Sequence, residues 1–144
     1  MSDELIFQVV NNAVLPAWLL LAFAPQSRWT KWIVDFGLPT LLLGSTYGLL
    51  LLLDQPGPQG ANFSSLEGVS RLFTTPKTII ACWIHYLVFD LFVGSWMVRD
   101  ARRHGIPHLL ALPSLLGTLM LGPLGLLSWL ILRALYLRRL TPIE

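Results

Sequence analysis

The sequence is poor in charged residues, in cysteine and in histidine. Asp, Glu, Lys and Arg make up 12% of its 144 residues, about half of the ~25% typical of soluble domains. So few charges cannot cover a water-facing surface of this size, which excludes an ordinary soluble domain. The single cysteine, Cys82, excludes an intrachain disulfide and a thiolate metal cluster. Three histidines are too few for a histidine-rich di-iron site, so no metal is expected.

Long apolar runs account for the 54% hydrophobic content and the mean hydropathy of +0.63. These runs are 5–24, 36–53, 78–98 and 109–132. Asp90 is the one charged residue within them. Each run is about as long as a helix needs to cross the ~30 Å hydrocarbon layer, which takes ~20 residues. The sequence therefore predicts an all-α integral membrane protein with one transmembrane domain, 1–144. Its four transmembrane helices are expected at about 5–24, 33–53, 77–98 and 109–135.

The longest connection, 54–76, is expected to contain one short helix. It opens with Asp54-Gln55-Pro56-Gly57-Pro58-Gln59-Gly60, a composition typical of turns. Ser64 and Glu67 have the spacing of a capping box. We therefore predict a short interfacial helix over 65–73, between the second and third transmembrane helices.

Small residues mark two of the predicted spans. Gly44 and Gly48 are four residues apart, which puts both on one helix face that another backbone can approach. This face could serve an internal contact or a second copy, and we expect a homo-oligomer. In the last span Gly122 precedes Pro123, whose missing N–H predicts a kink in one helix. A small-residue stripe in the same span favours close helix packing; it comprises Ser114, Thr118, Gly122 and Gly125.

The basic residues beside the spans do not decide the sidedness. With four spans, one side carries Arg71, Lys77, Arg133, Arg138 and Arg139. The other side carries Arg28, Lys31, Arg99, Arg102 and Arg103, an equal number. The acidic front and basic rear of the first helix favour a cytoplasmic 99–108 connection. The acidic start, Met1-Ser2-Asp3-Glu4, also leads us to expect no removable signal peptide.

Asp90 is the first candidate for chemistry. It lies near the middle of its run, where an ionisable side chain costs ~2.5–3.5 kcal/mol and is a functional-site hypothesis by default. At 100° per residue, Trp83 and Tyr86 share its face of the helix. The alternative is structural: Asp90 accepts a hydrogen bond from Asn11 or Asn12, or stays protonated and holds helices together.

His85 is the second candidate. It lies about 140° around the helix from Asp90, on a face with Phe89, Phe92 and Trp96. The two side chains differ by ~7.5 Å along the axis, so they could flank one elongated apolar ligand without forming a side-by-side dyad. The alternatives are a packing histidine and an aromatic face that contacts lipid or core.

The densest basic stretch is Arg99-Asp100-Ala101-Arg102-Arg103-His104-Gly105-Ile106-Pro107-His108. Gly105 and Pro107 disfavour a regular helix there, so His104 and His108 are not expected to form a helical metal site. Its arginines either anchor the chain at the membrane interface or hold an anionic headgroup or a partner. The basic pI, near 9.0, fits such interfacial cations, and no nucleic-acid partner is expected.

Several segments together resemble one known family. They are L-P-A-W-L-L (15–20), W-I-H-Y-L-V-F-D-L-F-V-G-S-W (83–96), R-D-A-R-R-H-G-I-P-H (99–108), L-P-S-L (112–115) and G-P-L-G-L-L (122–127). Their order and spacing resemble the neoxanthin synthase family, which is named for a plant abscisic-acid-deficient locus, over nearly the whole chain. Five residues match the family pattern: His85, Asp90, Asp100, His108 and Pro123. The chain lacks the transit extension of plant members, so we expect a bacterial relative, located in the bacterial cytoplasmic membrane or in thylakoids as a multi-pass protein.

The resemblance implies activity on carotenoids. The expected partners are a carotenoid or another long apolar lipid, together with membrane lipids. Plant members are needed to convert the epoxide violaxanthin to allenic neoxanthin, an isomerisation that requires no cofactor. A C40 polyene is about as long as the ~30 Å hydrocarbon core, and epoxide opening needs an acid and a base. Burial favours the neutral forms, so we assign Asp90 as proton donor and His85 as proton acceptor. The expected substrate-binding residues are Trp83, Tyr86, Phe89, Trp96, Asn12, His108 and Asp100.

Two other functions fit the same residues. A non-catalytic carotenoid-binding or photoprotective protein would use the aromatic side chains as a groove, and Asp90 and His85 would only bind a ring-end hydroxyl. A small transporter subunit is the third interpretation, but one carboxylate and one imidazole are fewer groups than a relay through the membrane normally has.

Overall fold

The computed structural model describes residues 2–53 and 58–138, and these residues form helices and turns without a strand, which confirms the all-α class. In chain order the elements are α1 (Asp3–Ala13), α2 (Leu15–Phe23), α3 (Arg28–Thr30), a π-helix (Lys31–Asp35), α4 (Leu38–Leu53), α5 (Leu66–Leu72), α6 (Pro76–Arg103), α7 (His108–Leu121) and α8 (Pro123–Leu137). The turn predicted at 54–57 lies outside the described residues.

The chain groups into two compact units. Unit one comprises Met1–Leu15 and Leu38–Val88, and unit two comprises Pro16–Gly37 and Phe89–Glu144. Helix α6 contributes its first half to unit one and its second half to unit two. Each unit is described by itself below.

Three helical segments of the described chain are long and apolar enough to cross a membrane. They are Asp3–Phe23, Arg28–Leu53 and Pro76–Arg103, with 21, 26 and 28 residues. They coincide with the first three predicted spans. At most 44% of the most apolar window of any of them is buried, so more than half of each window is not buried within the structure.

Two of these segments contain an interruption of the regular α-helix. The first breaks at Val14, because Pro16 has no N–H to donate to the carbonyl of Asn12. The second passes through the π-helix and then Gly37, whose φ of +82° is a left-handed conformation that favours glycine.

Helix α5 confirms the short helix predicted over 65–73, but the predicted cap is wrong by one residue. The Ser65 hydroxyl oxygen accepts a hydrogen bond from the backbone N–H of Gly68 at 3.0 Å. The Ser64 hydroxyl instead donates to Oδ1 of Asn62 at 2.8 Å. Asn62 holds Ser64 in the preceding turn, so the serine that starts the helix is the next one.

The prediction of one kinked helix over 109–135 is wrong. The last apolar run forms a helical hairpin. Helices α7 and α8 have 14 and 15 residues. The hydroxyl of Ser128 donates to the hydroxyl oxygen of Ser114 at 2.9 Å. In one continuous helix these residues would be ~21 Å apart. The two helices therefore run antiparallel, and neither is as long as a full span.

Glycine and proline explain the reversal. Gly122 lies between the helices at φ +52° and ψ −107°, which side chains other than glycine rarely tolerate, and Pro123 begins α8. Gly125 then lies directly against the backbone of Thr118, where a Cβ would collide with it. A Cβ on Gly117 would come within 3.1 Å of the Gly125 Cα. The small-residue stripe thus packs closely, but against the other half of its own run.

The end of α8 returns to the end of α6. The Tyr136 hydroxyl donates to the carbonyl oxygen of Gly105 at 3.3 Å. Since α7 also starts at this connection, with His108, both ends of the hairpin lie beside the 104–107 connection.

Candidate functional site

A buried polar network at the end of α6 is the core of the site in unit two. Asp100 is 3% exposed. Its Oδ2 accepts two hydrogen bonds from α8, one from Arg133 Nε at 2.8 Å and one from Trp129 Nε1 at 3.1 Å. Trp129 and Arg133 are themselves buried, so the network is shielded from water. The charge of the carboxylate is balanced by a guanidinium inside the protein.

His104 completes the network, and its partners define its tautomer. Its Nε2 lies 3.3 Å from Nη2 of Arg133. A guanidinium only donates, so Nε2 must accept, and the hydrogen of a neutral ring then lies on Nδ1. Nδ1 is 3.0 Å from the carbonyl oxygen of Asp100 and 3.2 Å from its Oδ1. His104 therefore bridges the carboxylate and the guanidinium.

The spacing of the four residues explains how two helices make this network. Asp100 lies in the last turn of α6, and His104 is the first residue after that helix, with its N–H donating to the Asp100 carbonyl at 3.1 Å. Trp129 and Arg133 are four residues apart on α8. Each pair therefore lies on one helix face, about one turn apart. The hairpin brings the second face against the first.

A second polar cluster in unit two involves the π-helix. Arg99 Nη1 forms an ion pair with Oδ1 of Asp35 at 3.1 Å. The Ser95 hydroxyl donates to the same oxygen at 3.4 Å and also accepts from Arg99. A π-helix holds one more residue per turn than an α-helix and is frequent at functional sites. Here it ends at Asp35, which pairs with Arg99.

His108, a predicted substrate-binding residue, lies at the start of α7. Its Nε2 is 2.9 Å from the carbonyl oxygen of Ala22. Because a carbonyl only accepts, Nε2 carries a hydrogen and donates it. His108 thus ties the first residues of α7 to the end of α2, within unit two.

Asp90 and its aromatic neighbours lie on the second half of α6. Asp90 is half-buried, and its Oδ2 is shielded from solvent. Phe89 and Phe92 are 57% and 61% exposed. Further along, an apolar groove of about 220 Å³ opens between α6 and α8. Its lining residues are Phe92, Val93, Trp96, Leu126 and Leu130.

In unit one, Trp83 and Tyr86 form a stacked pair. Their rings are 5.4 Å apart at 18°, and the ring of Phe7 lies 6.1 Å from Trp83. Trp83 Nε1 donates to Oδ1 of Asn11 at 3.0 Å. The predicted residue Asn12 instead donates to the Gln8 carbonyl of its own helix at 2.7 Å. Asn11 is therefore the asparagine that joins α1 to this aromatic pair.

His85 also lies in unit one. It is exposed, so the burial expected for His85 from the sequence is wrong. Its ring is 6.4 Å from the ring of Tyr47 on α4 at an angle of 43°. Across residues 2–53 and 58–138, no group of three or more His, Cys, Asp or Glu side chains could hold a metal ion.

Sequence reasoning missed the partners of Asp100. It named Asp100, but it treated Arg133 as an interfacial anchor and gave Trp129 no role. One signal was available: Trp129 and Arg133 are spaced i, i+4, as Asp100 and His104 are. This signal becomes useful only when the reversal at Gly122-Pro123 is known.

The fold and the site define the class of protein. The chain is a small helical protein with three segments long and apolar enough to span a membrane, followed by a helical hairpin that buries an Asp-Arg-His-Trp network. No solved structure matches it significantly.

Comparison with known sequences identifies the family of this chain. The sequence model described as ABA4-like (ABA DEFICIENT 4-like) matches residues 5–129, and the chain belongs to this family. Protein ABA DEFICIENT 4, chloroplastic, from Arabidopsis thaliana is 30% identical over 139 residues, which cover 90% of this chain. The chain spans 61% of the length of that relative. The family resemblance found in the sequence is thereby confirmed.

Proposed function

We propose that this chain acts on carotenoids in a membrane and isomerises an epoxy-carotenoid of the violaxanthin type to an allenic carotenoid. The observation that carries the proposal is membership of the ABA4-like family. The family match, 5–129, includes every residue that the sequence assigned to the site. The apolar spanning segments fit a substrate that dissolves in lipid and not in water.

The apolar groove between α6 and α8 supports binding of a polyene. Its lining is entirely hydrophobic and includes the rings of Phe92 and Trp96. Aromatic faces pack well against a flat conjugated chain. At about 220 Å³ the groove holds a section of a C40 molecule. The exposed ring of Phe89, one turn before Phe92, would contact the next section.

The chemical step needs one proton donor and one proton acceptor. A protonated epoxide oxygen leaves its carbon, and loss of a proton from the neighbouring C–H bond forms the allene, so the product is an isomer with a new hydroxyl group. We assign the donor role to Asp90, whose shielded oxygen supports a neutral acid. We assign the acceptor role to His85.

Pigment analysis tests the proposal. The chain is expressed in a host that makes violaxanthin, and the extract is separated by chromatography with mass detection. We expect a new compound of unchanged mass in the wild type and at least a tenfold lower yield with Asp90→Asn or His85→Gln, since acid or base catalysis contributes ~10²–10⁴-fold. Glu67→Gln, which neutralises a carboxylate with 77% side-chain exposure on α5, is the control and should match the wild type.

Each other outcome has a defined meaning. Wild-type yields in both variants would overturn the acid-base assignment. Unchanged violaxanthin that co-purifies with the protein would overturn the isomerase proposal in favour of carotenoid binding. Absence of both conversion and binding would overturn the carotenoid proposal.

A further inference from the structure

Unit two contains a polar cavity that the proposed carotenoid chemistry does not use. It has a volume of about 560 Å³, within the range of small-molecule sites. It is bounded by the first connection, with Pro25 and Lys31, and by the junction of α6 and α7, with Arg102, Gly105 and His108.

The charge of the cavity wall is positive. Lys31 and Arg102 both line it. In the described part of unit two the carboxylates are Asp35, Asp90 and Asp100, and none of them lines the cavity. Within residues 2–53 and 58–138, neither Lys31 nor Arg102 forms an ion pair.

The backbone around the cavity presents one helix end of each sign, the C-terminal end of α6 and the N-terminal end of α7. The end of α6 is closed by two hydrogen bonds, from Ile106 N to the Ala101 carbonyl at 2.9 Å and from Gly105 N to the Arg102 carbonyl at 3.3 Å. These carbonyl oxygens are therefore already occupied. Helix α7 begins at the wall after Pro107, without a side-chain cap, so its positive end adds to the two cations.

Two tryptophans indicate the depth of the cavity in a membrane. Trp29 and Trp32, on either side of Lys31, are 56% and 70% exposed. Exposed tryptophans are typical of the headgroup zone. This pattern predicts that Lys31 lies at the level where lipid phosphates are found.

We propose that this cavity binds a phosphate group, held by Lys31 and Arg102, and that an anionic lipid headgroup supplies it. The volume exceeds that of a phosphate alone and accommodates a glycerophosphate headgroup. His108 shapes the site by holding α7 to the Ala22 carbonyl. The site shares His108 with the predicted carotenoid-binding residues, but its two cations, Lys31 and Arg102, have no role in the carotenoid proposal.

The test uses the full chain, purified in detergent and freed of lipid. Phosphatidylglycerol or phosphatidylcholine is titrated in, and bound lipid is counted by native mass spectrometry. We expect tighter binding of phosphatidylglycerol and a loss of about fivefold with either Lys31→Gln or Arg102→Gln, from ~1 kcal/mol per interfacial cation. The charge-conserving variants Lys31→Arg and Arg102→Lys should retain binding, which separates loss of charge from misfolding.

Arg28→Gln is the matched control, because Arg28 lies 5.1 Å from the ring centre of Trp29 and does not line the cavity. Equal losses in Arg28→Gln and Lys31→Gln would overturn the site in favour of general charge attraction. Equal binding of both lipids would overturn it as well. Competition by millimolar inorganic phosphate would identify free phosphate as the source, and its absence would support the lipid headgroup.

Discussion

Asp100 shows how this protein accommodates a full charge in its interior. Moving a carboxylate out of water costs several kcal/mol unless donors replace the lost hydration. Arg133, Trp129 and His104 supply these donors, and the guanidinium also supplies the counter-charge. The network depends on all its members, because removal of one leaves a buried polar group without its partner.

A double-mutant cycle measures this dependence. Arg133→Met leaves Asp100 charged and buried, and we expect it to lower the free energy of unfolding by about 3–5 kcal/mol. Asp100→Asn/Arg133→Met should cost less than the sum of its two single variants, because an amide needs no counter-ion and still accepts from Trp129. Thermal unfolding in detergent, followed by circular dichroism, gives the four values. Additive losses would show that the two side chains do not depend on each other.

At the scale of residues, the sequence identified candidate side chains by features of their own segment, such as the free-energy cost of a carboxyl in an apolar run. It did not identify the partners of these side chains. Asp90 was detectable because a carboxyl in an apolar run is expensive, and Asp100 because it lies in a basic segment of the family pattern. Their assigned roles remain predictions. The sequence did not single out Asp35 and counted Arg133 only among the cations beside the spans, because their partners are 64 and 33 residues away in the chain.

The helical hairpin α7–α8 is the element that departs most from the sequence prediction. Composition alone could not separate a kinked span from a reversed one, because both contain Gly-Pro in an apolar run. What decides between them is the close contact of Gly125 with Thr118, a tertiary property. The first three long apolar helical segments were predictable because length and hydropathy are local properties of the sequence. The π-helix was not predicted, and no sequence pattern in Lys31–Asp35 distinguishes it from a regular α-helix.

Gly125→Ala tests the hairpin. The added methyl would meet the backbone of Thr118, and such overpacking costs about 1–3 kcal/mol. We therefore expect a lower midpoint of thermal unfolding. Gly48→Ala is the control: a Cβ at Gly48 meets nothing within 4 Å, and alanine is the better helix former by about 1 kcal/mol. Equal midpoints for the two variants would contradict the hairpin packing.

For the whole molecule, the hairpin changes the expected sidedness. If three segments span the membrane and the hairpin returns to its starting side, Arg133 and Arg138 join the side of the 104–107 connection. That side then carries seven described cations, Arg28, Lys31, Arg99, Arg102, Arg103, Arg133 and Arg138, against two, Arg71 and Lys77, on the other. Arg139 lies outside the described residues. The tie in the sequence count is broken, and the excess predicts a cytoplasmic 104–107 connection.

Cysteine labelling checks this topology. In a Cys82→Ala background, Ser65→Cys, Arg103→Cys and Arg138→Cys are treated in intact cells with a membrane-impermeant maleimide. We expect Ser65→Cys to react at once, and the other two only after the membrane is permeabilised. Labelling of Arg138→Cys together with Ser65→Cys would instead support four full spans.

The homo-oligomer expected through Gly44 and Gly48 remains a prediction, and cross-linking can test it.

The distance in sequence between Asp100 and Arg133 has a consequence for synthesis of the protein. A ribosome that adds about 5–20 residues per second needs roughly 2–7 s to pass from one to the other, 33 residues later. During that interval α6 exists without the cation that neutralises its carboxylate. We therefore expect the buried network around Asp100 to form only after α8 has been added to the chain. Maturation is completed only when the reversal at Gly122-Pro123 delivers Arg133, after most of the chain has been made.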